Sequence, residues 1–262
     1  MSPPAVILAQ LTDPHVGVVD DEAARALADA VNCVLALNLP PEAVLVSGDL
    51  AAHGKPDEYE RVRELLAPLP MPVHVLAGNH DDRDLLRSYF DAPGDGDLLR
   101  YSARCGPARL VVCDTIQAGR DDGNMDAERL AWLEAELAAD RETPTIVAMH
   151  HPPLLTGIKG LDAIGIPPDQ RAALAEVVAR NPQVKRIIGG HVHREVVDSL
   201  GGCPVLACPS THLQAVFDLR EDAGLALAPE PPGYGLHLLV DGELVSHVLP
   251  IGKWEPAPLP EA

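Results

Sequence analysis

Five short, mostly apolar runs in this chain each end in a polar cluster. Val6-Ile7-Leu8-Ala9-Gln10 leads into Asp13-Pro14-His15, Val44-Leu45-Val46 into Gly48-Asp49, and Pro72-Val73-His74-Val75-Leu76-Ala77 into Gly78-Asn79-His80-Asp81. Further on, Thr145-Ile146-Val147-Ala148-Met149 leads into His150-His151, and Val184-Lys185-Arg186-Ile187-Ile188 into Gly190-His191-Val192-His193. Runs this short, apolar at nearly every position, predict strands covered on both faces. Helical spacing predicts helices between them over residues 21–37, 57–67, 82–90, 127–139 and 169–180. Strands alternating with helices make a parallel sheet with helices outside it. Ligands of such sheets sit beyond the carboxyl ends of the strands, so five polar ends could converge on one crevice.

The remaining segments fill in the plan. Residues 98–103 and 110–113 predict two more strands, and the polar loop Gly119 to Asn124 is expected to reach the crevice. A Gly-rich stretch from His150-His151-Pro152-Pro153 to Pro168 predicts a rim over it. From Glu195 onward, short runs at 196–199, 205–207, 214–219, 236–240 and 244–249, separated by turn residues, predict an antiparallel meander. The expected fold is α/β: a four-layer α/β/β/α sandwich, two mixed sheets flanked by helices. Residues 1–250 are read as a single domain and 251–262 as a Pro-rich tail, loose or docked as a strap.

Charge narrows the class of partner. Against 20 basic residues stand 39 acidic ones, a net charge of −19, and no Lys/Arg run occurs. A protein that grips polymeric nucleic acid needs a basic footprint on the phosphates, so a DNA or RNA substrate is excluded in favour of a small molecule with one phosphate. No apolar stretch approaches the roughly 20 residues needed to span a bilayer, and no secretory signal is visible, so no membrane attachment and a cytoplasmic location are expected. The five cysteines are odd in number and without a C-x-x-C pair, which predicts small buried hydrophobes rather than disulfides or metal ligands.

The polar clusters carry the chemistry. Two metal ions about 3.5–4 Å apart can clamp a phosphoryl group, activate a water and stabilise the leaving oxygen. Asp13 and His15 stand two apart on one loop, as do His191 and His193; Asp49 and Asn79 end neighbouring strands, and His150 adds a nitrogen. Mixed imidazole, carboxylate and amide donors suit Fe, Mn, Zn or Co better than an all-oxygen magnesium site.

In order and over residues 6–193, Asp13-x-His15, Gly48-Asp49, Gly78-Asn79-His80-Asp81, His150 and Gly190-His191-x-His193 resemble the signature of the calcineurin-like metallophosphoesterases. Val46-Ser47-Gly48-Asp49-Leu50, Gly54-Lys55-Pro56-Asp57-Glu58-Tyr59 and Met149-His150-His151-Pro152-Pro153 resemble its bacterial branch of class III cyclic-nucleotide phosphodiesterases and glycerophosphodiesterases. Pro209-Ser210-Thr211 with Gln214, and Pro231-Pro232-Gly233-Tyr234, extend the likeness. The resemblance implies one ion on Asp13, His15, Asp49 and His193, and another on Asp49, Asn79, His150 and His191, with Asp49 bridging. It further implies in-line attack on phosphorus by a metal-bound hydroxide, with His80 stabilising the transition state or protonating the leaving alkoxide. The expected activity is hydrolysis of small phosphodiesters, 3′,5′-cyclic nucleotides such as cAMP or glycerophosphodiesters. The alternatives are a phosphomonoesterase and a non-catalytic scaffold of the same fold, and a homo-oligomer would form through the C-terminal elements.

Other polar residues receive plainer roles. His151 is expected to support a ligand or the Pro-Pro turn. His212 and His53 are placed at the substrate or on loop surface. His74, His237 and His247 are assigned to strands as structural residues. Asp81 and Asp82 are expected to begin the following helix, Arg83 and Arg87 to pair on it, and Asp162 to fix a turn.

Overall fold

The computed structural model describes residues 5–17, 21–94 and 96–254 of the 262-residue chain. The first part runs β1 (Ala5–Leu11), α1 (Asp21–Leu35), β2 (Val44–Ser47), α2 (Pro56–Leu66), β3 (Val73–Leu76), α3 (Arg83–Phe90). It continues with β4 (Tyr101–Cys105), β5 (Ala108–Cys113), α4 (Ala127–Ala139), β6 (Thr145–Met149), α5 (Lys159–Ala163), α6 (Pro168–Ala179) and β7 (Val184–Gly189). The last part holds β8 (Val196–Leu200), β9 (Cys203–Ala207), β10 (Gln214–Ala215), β11 (Leu227–Ala228), β12 (Gly233–Val240) and β13 (Glu243–Pro250). The Pro-rich end from residue 255 lies outside the described residues.

Two mixed sheets result, in the orders β13-β12-β1-β2-β3 and β4-β5-β6-β7-β9-β8. β1, β2 and β3 are parallel, as are β5, β6, β7 and β9. Period-two alternation explains the layering. Leu110, Val112, Ile146, Ala148 and Ile188 join the core shared with the first sheet, while Val111, Cys113, Val147, Met149 and Ile187 pack with Leu133, Leu137, Leu174 and Val178 of α4 and α6. Fully burying each such side chain contributes about 1.5–3 kcal/mol, so both faces of these strands must be covered.

The predicted C-terminal meander is not formed. β8 and β9 join the second sheet, β10 and β11 pair with each other, and the β12–β13 hairpin joins the first sheet through β1. Burial decides this: Val205, Leu206 and Ala207 are all buried, as are residues 233–237, and a simple meander leaves one face of each strand open. Turn residues mark where strands end, not which neighbour they find.

Arg83 also departs from expectation. Its Nε and Nη2 donate to the Asp114 carboxylate at 2.6 and 2.7 Å, tying α3 to the end of β5. Asp114 is 0% exposed at its side chain and also accepts from Leu99 N and Ile116 N, so it needs a fixed cation. Arg87 does pair on the helix, with Asp84. Arg83→Met is expected to cost about 3 kcal/mol in a denaturant titration, because it strands a buried carboxylate; Arg87→Met should cost under about 1 kcal/mol.

His237 is fully buried, and burial, with Arg186 adding, pushes its imidazolium down to about 3. An unfolded imidazole titrates near 6.5, so between there and about 3 the unfolded chain takes a proton that the folded chain refuses. Stability contributed by this group is lost as pH falls through that window, by about 1.4 kcal/mol per pH unit. Denaturant midpoints at pH 7.5 and 5.5 should therefore diverge less for His237→Gln than for the unsubstituted chain.

Candidate metal centre

All seven predicted ligands and His80 meet beyond the carboxyl ends of β1, β2, β3, β6 and β7. Of the seven non-glycine residues with positive φ among the described residues, five are here: Asp13 (50°), His15 (45°), Asp49 (51°), His191 (65°) and His193 (47°). Left-handed backbone at an ordinary residue costs about 1 kcal/mol or more, and it persists where surrounding structure imposes it. It turns these side chains back into the crevice at the ends of their strands. Glycines make the room: a methyl on Gly48 would strike His150, and one on Gly190 would strike Thr12 and Asp13.

Backbone carbonyls set the imidazoles. Nδ1 of His150 lies 3.0 Å from Ser47 O, Nδ1 of His193 2.8 Å from Leu213 O, and Nδ1 of His80 2.9 Å from Ala52 O. A carbonyl only accepts, so each ring keeps a proton on Nδ1 and offers Nε2. His193 Nε2 faces His15 Nε2 at 3.1 Å and Asp13 Oδ1 at 3.5 Å. His150 Nε2 faces Asn79 Oδ1 at 3.1 Å and Asp49 Oδ2 at 3.4 Å, and Asn79 Oδ1 is also 3.1 Å from His191 Nδ1. Asp49 Oδ2 is in addition 3.5 Å from His15 Nε2, so one carboxylate oxygen stands between the two groups.

These spacings fit cations. Ligand atoms about 2.1 Å from one ion sit roughly 3–3.5 Å from each other, and lone pairs facing lone pairs at that distance call for positive charge among them. One ligand atom each from Asp13, His15, Asp49 and His193 falls within 4.8 Å of the rest, as in a second group of His150, His151 and His191. Charge follows the same logic. Burial opposes ionisation of Asp49, yet His150 and then His15 hold its carboxyl well below the usual range. Burial likewise opposes a charge on His150, but Asp49 beside it wins and lifts the imidazole to about 9. Burial pushes the Asp13 carboxyl up against the pull of His193 and His150. It pushes His15 and His151 down to about 3, and His191 well down, which keeps those rings neutral.

His151 is held at both nitrogens, Nδ1 by the Thr115 hydroxyl at 2.8 Å and Nε2 by Asp121 O at 3.0 Å, so it supports the site from behind. That contact also draws the 119–124 loop inward, where Asp121 lines the cavity. Asp82 alone caps α3, accepting from Asp84 N and Leu85 N. Asp81, expected to share that task, instead accepts from Leu50 N, Ala51 N, Gly78 N and the Tyr59 hydroxyl. It clamps the loop of Asp49 to the loop of Asn79. Only one residue can be an N-cap, so two successive acids before the helix start were the signal for a second role.

Over the cluster lies a cavity of about 590 Å³, lined by His80, His212, His15 and His193 and by the aliphatic side chains of Leu161, Ile164, Leu213, Ala215, Leu225 and Leu227. The rim expected from the Gly-rich stretch is thus real, with Asp162 fixing its turn through Thr156 and Gly157. The aliphatic wall was not predicted, since its members lie in segments without periodicity. His212 is delivered by Ser210, whose hydroxyl donates to Asp13 O at 2.8 Å. His53 sits apart, two-thirds exposed and paired with buried Glu58, in an adjoining polar cavity that shares Asn79 and His80.

Comparison with known proteins gives the family and the fold. Residues 7–195 match the calcineurin-like phosphoesterase family. A probable cyclic nucleotide phosphodiesterase of Synechococcus is 34% identical, over 86% of this chain and 88% of its own. A glycerophosphodiester phosphodiesterase of Enterobacter lignolyticus is 31% identical, over 92% of this chain and 90% of its own. A 3′,5′-cyclic adenosine monophosphate phosphodiesterase of Pseudomonas aeruginosa is 32% identical, over 92% and 88%. Among solved structures, a dimetal phosphatase from Danio rerio superposes with a TM-score of 0.69 at 17% identity, covering 93% of this chain and 98% of that one. With the matched span and these relatives in agreement, the chain belongs to the calcineurin-like phosphoesterase family.

Proposed function

We propose that this chain is a dinuclear metal-dependent phosphodiesterase of small organic phosphodiesters, with 3′,5′-cyclic nucleotides and glycerophosphodiesters as its substrate classes. The observation that carries the reading is the single Asp49 oxygen set between two groups of metal-binding side chains, His15 on one side and His150 on the other. Asp13, His15, Asp49 and His193 would hold one ion, and Asp49, Asn79, His150 and His191 the other. Manganese, iron, zinc or cobalt suits such donors. Bound there, the ions supply Lewis-acid polarisation of the phosphoryl oxygens and an acidic water at neutral pH.

The chain's own residues do the rest. Asn79 and His80 both line the cavity above the ligands, where the phosphoryl group would lie. His80 N donates to Asp49 Oδ1 at 2.9 Å, and its ring is fixed through Nδ1, so Nε2 is the atom left to meet substrate. Protonated at Nε2, it can hand its proton to the departing alkoxide. The freed hydroxyl, on a separate alcohol or on the same molecule where the diester is cyclic, keeps that proton. The attacking water puts its oxygen on phosphorus, and of its two protons one replaces the proton His80 gave up while the other stays on the phosphomonoester or passes to solvent. His212 and the aliphatic wall face the organic part of the substrate, and they exclude water from one side of the phosphate.

Turnover of cAMP and of glycerophosphoethanolamine, measured with Mn²⁺ and with Asn79→Ala as the blank, tests the reading. Hydrolysis of either diester above the blank is expected. Turnover of an aryl phosphate monoester with neither diester attacked would replace this reading by a phosphomonoesterase.

A further inference from the structure

Gln10 is a buried amide in a strand that is otherwise apolar: Ile7, Leu8, Ala9 and Leu11 are all 0% exposed, and so is Gln10 itself. Burying a carboxamide in such a place is costly unless every polar atom is met, and here they are. Gln10 Nε2 donates to Ser47 Oγ at 2.9 Å and to Gly189 O at 3.0 Å. Its Oε1 lies 3.2 Å from His237 Nε2, whose other nitrogen lies 2.8 Å from Ser246 Oγ. An amide oxygen only accepts, so His237 carries its proton on Nε2 and takes the Ser246 hydroxyl at Nδ1. The Gly189 carbonyl, which can only accept, fixes which way the amide of Gln10 faces, and His237 completes it.

The places it touches are the strand ends that carry the proposed ligands. Gln10 stands three residues before Asp13, Ser47 two before Asp49, and Gly189 two before His191. Ser47 O holds His150 through Nδ1 at 3.0 Å, and Gly190 N donates to His150 O at 3.0 Å. Ser47 belongs to the first sheet and Gly189 to the second, so one side chain spans the seam between them. Apolar packing alone would let the sheets slide by fractions of an ångström; directed hydrogen bonds fix the register.

We infer that Gln10, oriented by the Gly189 carbonyl and held by His237, is a positioning residue that sets the distance between the metal-binding side chains of the two sheets. This rests on the dinuclear reading above. Side chains that hold metal ligands in place change metal affinity by about 10–100-fold when removed.

The test is titration of the metal-stripped full chain with Mn²⁺ and with Co²⁺, comparing the unsubstituted protein with Gln10→Met, which keeps the length and loses the hydrogen bonds. Gln10→Met is expected to weaken binding of at least one ion by about tenfold or more, to shift the visible Co²⁺ absorption bands, and to lower kcat more than it raises KM. His237→Leu should act in the same direction by a smaller factor. A residue serving stability alone would move the unfolding midpoint and leave the Co²⁺ bands where they were. If Gln10→Met does not fold, Ser47→Ala, which removes only the hydroxyl between Gln10 Nε2 and Leu11 O, carries the same comparison. Unchanged affinity and unchanged Co²⁺ bands in the folded variant overturn the inference. Absence of metal uptake by the unsubstituted protein instead overturns the dinuclear reading, and this inference with it.

Discussion

Asp49→Ala is expected to reduce phosphodiester hydrolysis by on the order of 10³-fold or more, and to lower bound metal from two ions per chain to one or none. Among the described residues its carboxylate is the only acidic group placed 3.4–3.5 Å from imidazoles of both groups, His15 and His150. Removing it takes away the proposed shared ligand and leaves His150 without the partner that lifts its proton affinity. Asp49 also has φ 51°, where alanine is strained and asparagine is tolerated. Asp49→Asn therefore serves as the companion variant: its unfolding midpoint should stay closer to the parent while activity is still lost. Elemental analysis and turnover of a bis-aryl phosphate read both quantities. Full activity in either variant would remove Asp49 from the site.

Gly78→Ala should be nearly as damaging, although Gly78 itself offers no ligand atom. A methyl there would fall on the carboxylate and on the backbone nitrogen of Asp49. The backbone atom cannot swing aside as a flexible side chain does, and Asp81 holds both loops, at Gly78 N and at Leu50 N. Overpacking of this kind costs about 1–3 kcal/mol, and a misplacement near 1 Å costs about 10²-fold in rate. The expected signature is a folded, destabilised protein whose kcat falls at least that far. Gly96, with open space around its Cβ position and φ 61°, is the contrast: Gly96→Asn should keep full kcat.

Much of the site could be read from the sequence because each proposed ligand lies within four residues of a strand's end. A fully apolar run fixes the strand, the strand fixes where its end lies, and five ends must then point to one edge of the sheets. The helices were legible for the same reason, through spacing and capping acids. What escaped was set by partners distant in sequence. Nothing local distinguishes Asp81 from Asp82, yet one caps a helix and the other ties two ligand loops together. Arg83 found Asp114 across the seam rather than an acid on its own helix. β9 and β12 read alike as short apolar runs bounded by turns, but each entered a different sheet, because each needed a neighbour on both sides. The aliphatic wall came from 161–164 and 213–227, segments whose apolar residues have no period and gain a shared face only in the fold.

The account stands most directly on the number of metal ions that activity requires. Metal-stripped protein titrated with Mn²⁺ while bis-aryl phosphate hydrolysis is followed should gain activity up to two ions per chain and no further, with Asn79→Ala inactive throughout. Activity that is complete at one ion, or undiminished after the metal is stripped, would contradict a dinuclear centre on these seven residues.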